Sequence, residues 1–406
     1  GEEFKFKENV ESLFNEYRAK YLDKEVSLIQ SECSEIVKKA VQLDEKQREE
    51  LDDKSIFGRR KKGAKGSRAL KRWVLGALDA AAVAGSVPSP TGSPTQGTIW
   101  DRRDAQEEGS VVTRVLRCLS AALARAERLG QDLAQCCDKL SKETWRLLLH
   151  TYVSQALDLA EQVLPDEDPR EDPDTRFFLR VTGAVNGIAR EMTAHYRLHV
   201  TPRLEGDPNM KSRGAQNNRT SLKAVERRLM NGLTVCMDAV IKFAERILTR
   251  FQRPGDFKPK DEMDCFECTE ACRQISGFIA LQAEAAVESL EGRNLDGYLA
   301  ELGRRFHKTI LTHLQHFSVS AMGAMVVSMD VKRYQDIVLE FHIEEVSRLF
   351  SVLRDMSSLL LLPVGQLGMV VQTRLEGVPK EDIHDFIKIR ADYGKHRIQI
   401  ISMLSL

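Results

Sequence analysis

The sequence has few aromatic residues and no excess of charge of either sign. The first feature limits the fold classes that are possible, and the second limits the kinds of binding partner. Phe, Trp and Tyr make up 6% of the 406 residues, whereas hydrophobic residues as a whole reach 42%. This balance is typical of Leu- and Ala-rich helices rather than of β-sandwiches. Lys plus Arg and Asp plus Glu both total 60, so no net field attracts polyanions, and we expect no nucleic-acid binding by the whole molecule.

Catalytic signatures are also missing. The sequence has no Gly-x-Ser-x-Gly motif, no Walker loop and no dinucleotide fingerprint following a strand. Gly58 and Gly63 have the spacing of a phosphate-binding loop, but Ala64 stands where the lysine is required. We therefore expect a binding protein rather than an enzyme, with no cofactor and no small-molecule substrate.

Signals for secretion and membrane insertion are lacking too. The chain opens without a signal peptide, and its eight cysteines are scattered among helical patterns, which favours a reduced cytoplasmic protein. The longest uncharged run, Met356 to Thr373, is interrupted by Pro363 and Gly365 and predicts a buried helix followed by a turn rather than a membrane span. Because Gly1 stands where a complete chain begins with Met, a fragment of a longer protein is expected.

What the sequence does have is helical periodicity. Apolar residues recur at spacings of three and four from Leu222 to Phe251, and again within residues 22–43 and 346–360. A helix of 35 residues would span about 50 Å, which exceeds the radius of a compact domain. The pattern therefore predicts an all-α fold, an elongated rod of stacked antiparallel helical bundles.

Segments rich in Pro, Gly and charge divide the chain into three predicted domains. The N-terminal bundle includes a mobile insert, residues 52–110, that is first basic and then rich in Pro, Ser and Thr. The predicted hinges include residues 201–220. The three domains are an N-terminal bundle (1–163), a middle bundle (164–254) and a C-terminal bundle (255–406).

Three cysteines at short spacing resemble part of a zinc site. A structural site needs four converging ligands, and no His or further Cys lies close to Cys265, Cys268 and Cys272 in the sequence. The trio continues at helical spacing into Ile275 and Ile279. We therefore predict that these cysteines pack in the core and bind no metal.

The histidines do not form a predicted site either. His307, His313 and His316 do not share one helical face, so flanking or capping roles are expected. The buried stripe predicted beside them consists of Leu299, Leu302, Phe306, Ile310 and Phe317. His195 and His199 lie four residues apart and could share a metal, but two ligands alone bind weakly, which favours a surface position.

One basic segment stands out as a candidate anionic-lipid or partner patch. Its charges lie next to Trp73, and such clusters are attracted to anionic headgroups by about 1 kcal/mol per residue. A solvated loop neutralised by the acidic run 44–53, a nuclear-import signal and a nucleic-acid contact are alternatives. Its eight cations are Arg59, Arg60, Lys61, Lys62, Lys65, Arg68, Lys71 and Arg72.

Collinear motifs in the last third of the chain carry a family resemblance. They include Glu301-Leu-Gly-x-Arg-Phe-His307, His313-Leu-Gln315, Met322-Gly323, Asp330, Tyr334 and Arg390-Ala-Asp-Tyr393. Over residues 255–395 the chain resembles the C-terminal region of the exocyst complex component five family, the subunit called Sec ten. The resemblance implies a rod of helical bundles without catalytic residues.

The resemblance also implies a role in holding secretory vesicles at the plasma membrane before fusion. Implied partners are other exocyst subunits, notably the Sec fifteen subunit, and small GTPases of the Rab or Arf type. The expected location is the cytoplasm, with recruitment to the plasma membrane or secretory vesicles. Alternatives are a recyclin-like F-box trafficking adaptor with a related C-terminal region, and a helical enzyme that holds a metal through the cysteines or histidines.

Overall fold

A computed structural model describes residues 20–39, 110–261 and 266–404 of the chain. Helices account for all the regular structure in these ranges, apart from one isolated parallel bridge between Val319 and Arg390. The predicted all-α class is confirmed. The predicted insert, residues 52–110, lies almost entirely outside the described residues.

We number the helices in chain order, beginning with α1 at residues 20–39. Short π-helical segments lie at Leu147–Val153 and Tyr196–Val200, and 3-10 turns lie at Thr201–Leu204 and Val364–Gln366. The other helices are α2 (Val111–Arg128), α3 (Leu133–Arg146), α4 (Ser154–Glu161), α5 (Arg176–His195), α6 (Pro208–Phe251), α7 (Glu270–Ser289), α8 (Arg293–Leu314), α9 (Gly323–Leu339), α10 (Glu344–Leu361), α11 (Leu367–Arg374), α12 (Lys380–Ile387) and α13 (Tyr393–Leu404).

The described residues form two compact units, which we call unit 1 and unit 2. Unit 1 holds residues 20–39, 110–164 and 180–233, and unit 2 holds residues 165–179, 234–261 and 266–404. The division into three domains stays a prediction. The same holds for their stacking into a rod.

The hinge predicted at residues 201–220 is wrong from Pro208 onward. The carboxylate of Asp207 accepts hydrogen bonds from the backbone N–H groups of Asn209 (3.1 Å) and Met210 (3.0 Å), and Pro208 then opens the 44-residue α6. Proline suits the first position of a helix because its missing N–H would have no partner there. The turn-forming composition therefore marks the start of a helix.

Unit 1 is built around the apolar faces of its helices. In α1 the predicted stripe is confirmed at Leu22, Ile29 and Cys33, which are all buried. A buried acid, Glu25, interrupts this face and accepts a hydrogen bond from Nε of Arg125 in α2 at 2.9 Å. This ion pair joins two helices that are far apart in sequence.

Loss of the Arg125 side chain should destabilise unit 1. The side chain of Glu25 is only 6% exposed, so Arg125→Ala leaves a carboxylate with little water and without its cation. We expect a loss of roughly 2 kcal/mol of unfolding free energy, since breaking a buried pair costs more than the pair contributes. Urea unfolding followed by circular dichroism measures this loss.

Two variants control for this prediction. Arg128→Ala removes an exposed cation from the same helix and should change the unfolding free energy by no more than about 0.5 kcal/mol. Adding Glu25→Gln to Arg125→Ala removes the uncompensated charge and should recover part of the loss. Equal stability of Arg125→Ala and Arg128→Ala would show that the pair contributes nothing.

Unit 2 has a core of aromatic and aliphatic side chains from α8, α9 and α10. The ring of Phe306 lies 5.5 Å from Tyr334 and 5.4 Å from Phe350, measured between centroids. The predicted stripe of α8 is confirmed at Leu302, Phe306 and Ile310, which are at most 1% exposed. Such edge and tilted ring pairs add to the hydrophobic burial itself.

The uncharged run after Met356 forms the predicted helix and turn. Helix α10 ends at Leu361, the backbone is extended at Leu362 and Pro363, and a 3-10 turn follows. None of the described helices is both long enough and apolar enough to cross a lipid bilayer.

Candidate functional site

The basic segment predicted as a lipid or partner patch, Arg59 to Arg72, lies outside the described residues. Its role stays a prediction. The described part of the chain offers one cluster of chemically active side chains, around Asp330 in unit 2.

The Asp330 cluster joins α9 to the start of α7. The Sγ atoms of Cys268 and Cys272 and a carboxylate oxygen of Asp330 all lie within 4.8 Å of one another. Cys272 is fully buried, as predicted, and Cys268 is partly buried and precedes the first residue of α7, so it does not continue the helical stripe. Cys265 lies outside the described residues.

Hydrogen bonds account for each polar group of this cluster. The N–H and the hydroxyl of Thr269 each donate to one carboxylate oxygen of Asp330 at 2.8 Å. The Thr269 hydroxyl oxygen also accepts from the N–H of Cys272 at 3.1 Å and so caps α7. The thiols of Cys268 and Cys272 point to the backbone carbonyls of Met329 (3.6 Å) and Asp330 (3.7 Å).

Burial sets the protonation of the cluster. It raises the pKa of Asp330 to about 6, although the hydrogen bonds from Thr269 oppose the shift. Burial also raises the pKa of the Cys268 and Cys272 thiols, and the nearby Asp330 adds to this effect. Since the thiolate is the nucleophile and the metal ligand, the two cysteines are in an unreactive form at neutral pH.

The donor set is smaller than a structural zinc site requires. Two sulfurs and one carboxylate give three ligands in the described residues, whereas closed zinc sites use four. Each oxygen of Asp330 accepts one hydrogen bond from Thr269. The two hydrogen bonds from Thr269 to Asp330 hold the start of α7 against α9, and we call this pair the Asp330 latch. The sequence alone did not predict the latch, because its two residues lie 61 positions apart.

The two histidines of α8 and His316, in the turn after it, form no potential metal site among the described residues. His307 packs edge-on against Phe350, with 5.4 Å between centroids, and burial lowers its pKa. His313 lies 4.9 Å from the ring of Phe317, and burial lowers its pKa to about 4. His316 uses Nδ1 to contact the carbonyl of Thr312 at 2.8 Å. The flanking positions match the expectation.

The prediction of a surface position holds for His199 but is wrong for His195. The ring of His195 is partly buried, its Nε2 lies 2.7 Å from Oγ of Ser120 in α2, and burial lowers its pKa to about 4. The two imidazoles lie 4.6 Å apart between centroids. The hydrogen bond between His195 and Ser120 joins α5 to α2 and accounts for the partly buried position of His195.

The exposed helix surfaces carry several large apolar side chains. Ile398 of α13 is 86% exposed and Met369 of α11 is 64% exposed, both in unit 2. A cavity of about 260 Å³ is lined by residues such as Phe317 and Lys388, and its charged groups are Lys388 and Asp385, which form an ion pair of 2.6 Å. Single exposed apolar side chains are common on protein surfaces and do not by themselves mark a binding site.

Comparison with known proteins gives a consistent family. The family model described as "Exocyst complex component Sec10-like, alpha-helical bundle" matches residues 3–400. Exocyst complex component 5 of Homo sapiens is 29% identical over 292 residues, which cover 71% of this chain and 41% of the relative. The protein of the same name from Drosophila melanogaster is 28% identical over 282 residues, which cover 69% of this chain and 39% of the relative. The protein of the same name from Oryza sativa subsp. japonica is 30% identical over 183 residues, which cover 44% of this chain and 22% of the relative.

The chain spans about two fifths of the length of the human relative and less of the other two. All three names are those of exocyst components, which gives no support to the F-box adaptor or to the metal-dependent enzyme. The family match covers nearly every residue of the chain and agrees with the all-helical fold. The chain therefore belongs to the Sec10-like family of exocyst complex components.

Proposed function

We propose that this chain is the helical-bundle part of an exocyst subunit that helps to tether secretory vesicles to the plasma membrane before fusion. The match of the family model to residues 3–400 carries the proposal.

The proposed mechanism is binding and bridging, without catalysis. Helices buried on one side and polar on the other form rigid units, and their exposed sides are free to meet other chains. The Asp330 latch and the Glu25–Arg125 pair hold helices in place within each unit. Function then depends on which surfaces remain accessible.

The proposed partners are other exocyst subunits, with the Sec fifteen subunit foremost, and small GTPases of the Rab or Arf type. The proposed location is the cytoplasm, with recruitment to the plasma membrane or to secretory vesicles. The names of the relatives support other exocyst subunits as partners, whereas the Sec fifteen subunit and the small GTPases rest on the family resemblance alone. The chain covers only part of each relative.

A secretion assay tests this proposal. Cells that lack the protein containing this chain should accumulate secretory vesicles beneath the plasma membrane, and the intact protein should restore cargo release. A version from which residues 110–404 are deleted should fail to restore it at equal abundance. Normal secretion in the deficient cells would contradict the proposed function.

We also propose that the basic segment contacts anionic membrane. Replacing Arg59, Arg60, Lys61 and Lys62 with Gln should reduce sedimentation of the chain with vesicles that contain acidic phosphoinositides, by about fivefold in affinity for each cation that lies near the surface. Removing four acids from the run 44–53 provides a control of similar size and opposite charge. Unchanged sedimentation of the Gln variant would reject this contact.

A further inference from the structure

The first five turns of α6 carry an unpaired basic stripe. Arg219, Lys223 and Arg227 follow one another at four-residue spacing, and Arg213 extends the same face toward the start of the helix. All four side chains are exposed, and they span about 21 Å along the helix axis. We call these four residues the α6 stripe.

The opposite face of α6 holds this part of the helix to unit 1. Gly214 is buried there, and a Cβ atom at this position would overlap the hydroxyl of Tyr196. Leu229 is buried on the same side. The cations therefore point away from the packed face of the helix.

Pairing distinguishes the α6 stripe from neighbouring cations. The next residue, Arg228, binds Glu161 through two hydrogen bonds of 2.9 Å and Asp158 at 2.6 Å. Within the described residues, no hydrogen bond or ion pair involves a side chain of the α6 stripe. Glu226 is the one acid between Pro208 and Arg228, so the local charge is strongly positive.

The composition around the stripe favours a lipid surface over a protein partner. Protein interfaces centre on large apolar or aromatic anchors. Between Pro208 and Arg228 no large apolar side chain is exposed, and the residues beside the cations are small or polar, such as Ser212, Gln216 and Thr220. The first exposed large apolar side chain after these residues is Met230, which lies beyond the end of the stripe. A row of cations without a central apolar anchor is suited to adsorption on a flat anionic surface.

We propose that the α6 stripe binds the anionic headgroups of a lipid bilayer. The contact is electrostatic and peripheral, and it uses residues other than those of the basic segment 59–72. Each cation near an anionic surface strengthens binding by about fivefold, and added salt weakens it. The inference goes beyond the proposed tethering function and does not depend on the identity of the exocyst partners.

Vesicle sedimentation with matched variants tests the proposal. The full chain is mixed with vesicles of phosphatidylcholine, with or without phosphatidylserine, and the bound fraction is measured against lipid concentration. Replacing all four stripe residues with Gln, a good helix former, should weaken binding to the phosphatidylserine vesicles by about 30-fold or more. The expected difference is absent with pure phosphatidylcholine.

The control removes the same charge elsewhere. Lys258, Lys260, Arg293 and Lys332 are exposed cations of unit 2, and their replacement with Gln should change affinity by no more than about threefold. Both variants are also made in a chain in which Arg59 to Lys62 are already replaced with Gln. In that chain, vesicle binding by the basic segment cannot hide a loss of binding by the α6 stripe.

Three outcomes would overturn the proposal. The first is equal affinity of the stripe variant and the parent chain in both backgrounds. The second is an equal loss in the control variant, which would show that net charge alone sets binding. The third is unchanged vesicle binding with a specific loss of association with another exocyst subunit, which would assign the stripe to an acidic protein surface.

Discussion

Gly323→Ala is expected to remove about 3 kcal/mol or more of the stability of unit 2. A Cβ atom at this first residue of α9 would overlap the backbone carbonyl of Phe257, which cannot rotate away as a side chain can. That carbonyl accepts a hydrogen bond from the N–H of Ser320 at 3.0 Å, and the ring of Phe257 is 1% exposed. Relief of the overlap must therefore displace a buried segment.

Urea unfolding of the variant measures this effect. Gly277→Ala is the matched control, because it lies inside α7 with open space around the added methyl group. Alanine is a better helix former than glycine, so this control should be up to about 1 kcal/mol more stable than the parent chain. A gain of stability in both variants would contradict the close contact between Gly323 and the carbonyl of Phe257.

Asp330→Asn is expected to change how the stability of unit 2 depends on pH. Burial raises the pKa of Asp330 from 3.8 to about 6, so the folded chain holds this proton more tightly than the unfolded chain. The stability that the protonated group contributes is complete below pH 3.8 and is lost as the pH rises through about 6. An asparagine has no such ionisation.

The stability of the Asn variant relative to the parent should therefore rise between pH 4 and pH 7 by roughly 2 kcal/mol. Urea midpoints at a series of pH values measure this difference. Asp336→Asn alters an exposed acid on the same helix and serves as the control. A constant difference between Asp330→Asn and the parent across this pH range would contradict the raised pKa.

Local pattern was sufficient to predict the helices and their buried faces. The spacing of Leu302, Phe306 and Ile310 predicted the core side of α8, and all three are buried. Such patterns repeat within a few turns of one helix, so the sequence alone carries them.

Contacts between distant segments could not be predicted in this way. Asp330 reaches Thr269 across 61 residues, and the fit of Gly323 against Phe257 depends on backbone positions that no periodicity encodes. The composition near Pro208 predicted a hinge because Pro, Gly, Asn and charged residues are common in loops. The same residues are also common at the start of a helix, so composition alone does not distinguish the two. The α6 stripe exists only because that segment is helical, since residues four apart share a face in a helix.

Stoichiometric co-purification tests the central claim most directly. The protein that contains this chain is tagged at its natural locus, isolated at physiological salt and analysed by native mass spectrometry. The account predicts an assembly that holds one copy of the tagged protein together with other exocyst subunits. Recovery of the tagged protein at full abundance without any exocyst subunit would contradict it.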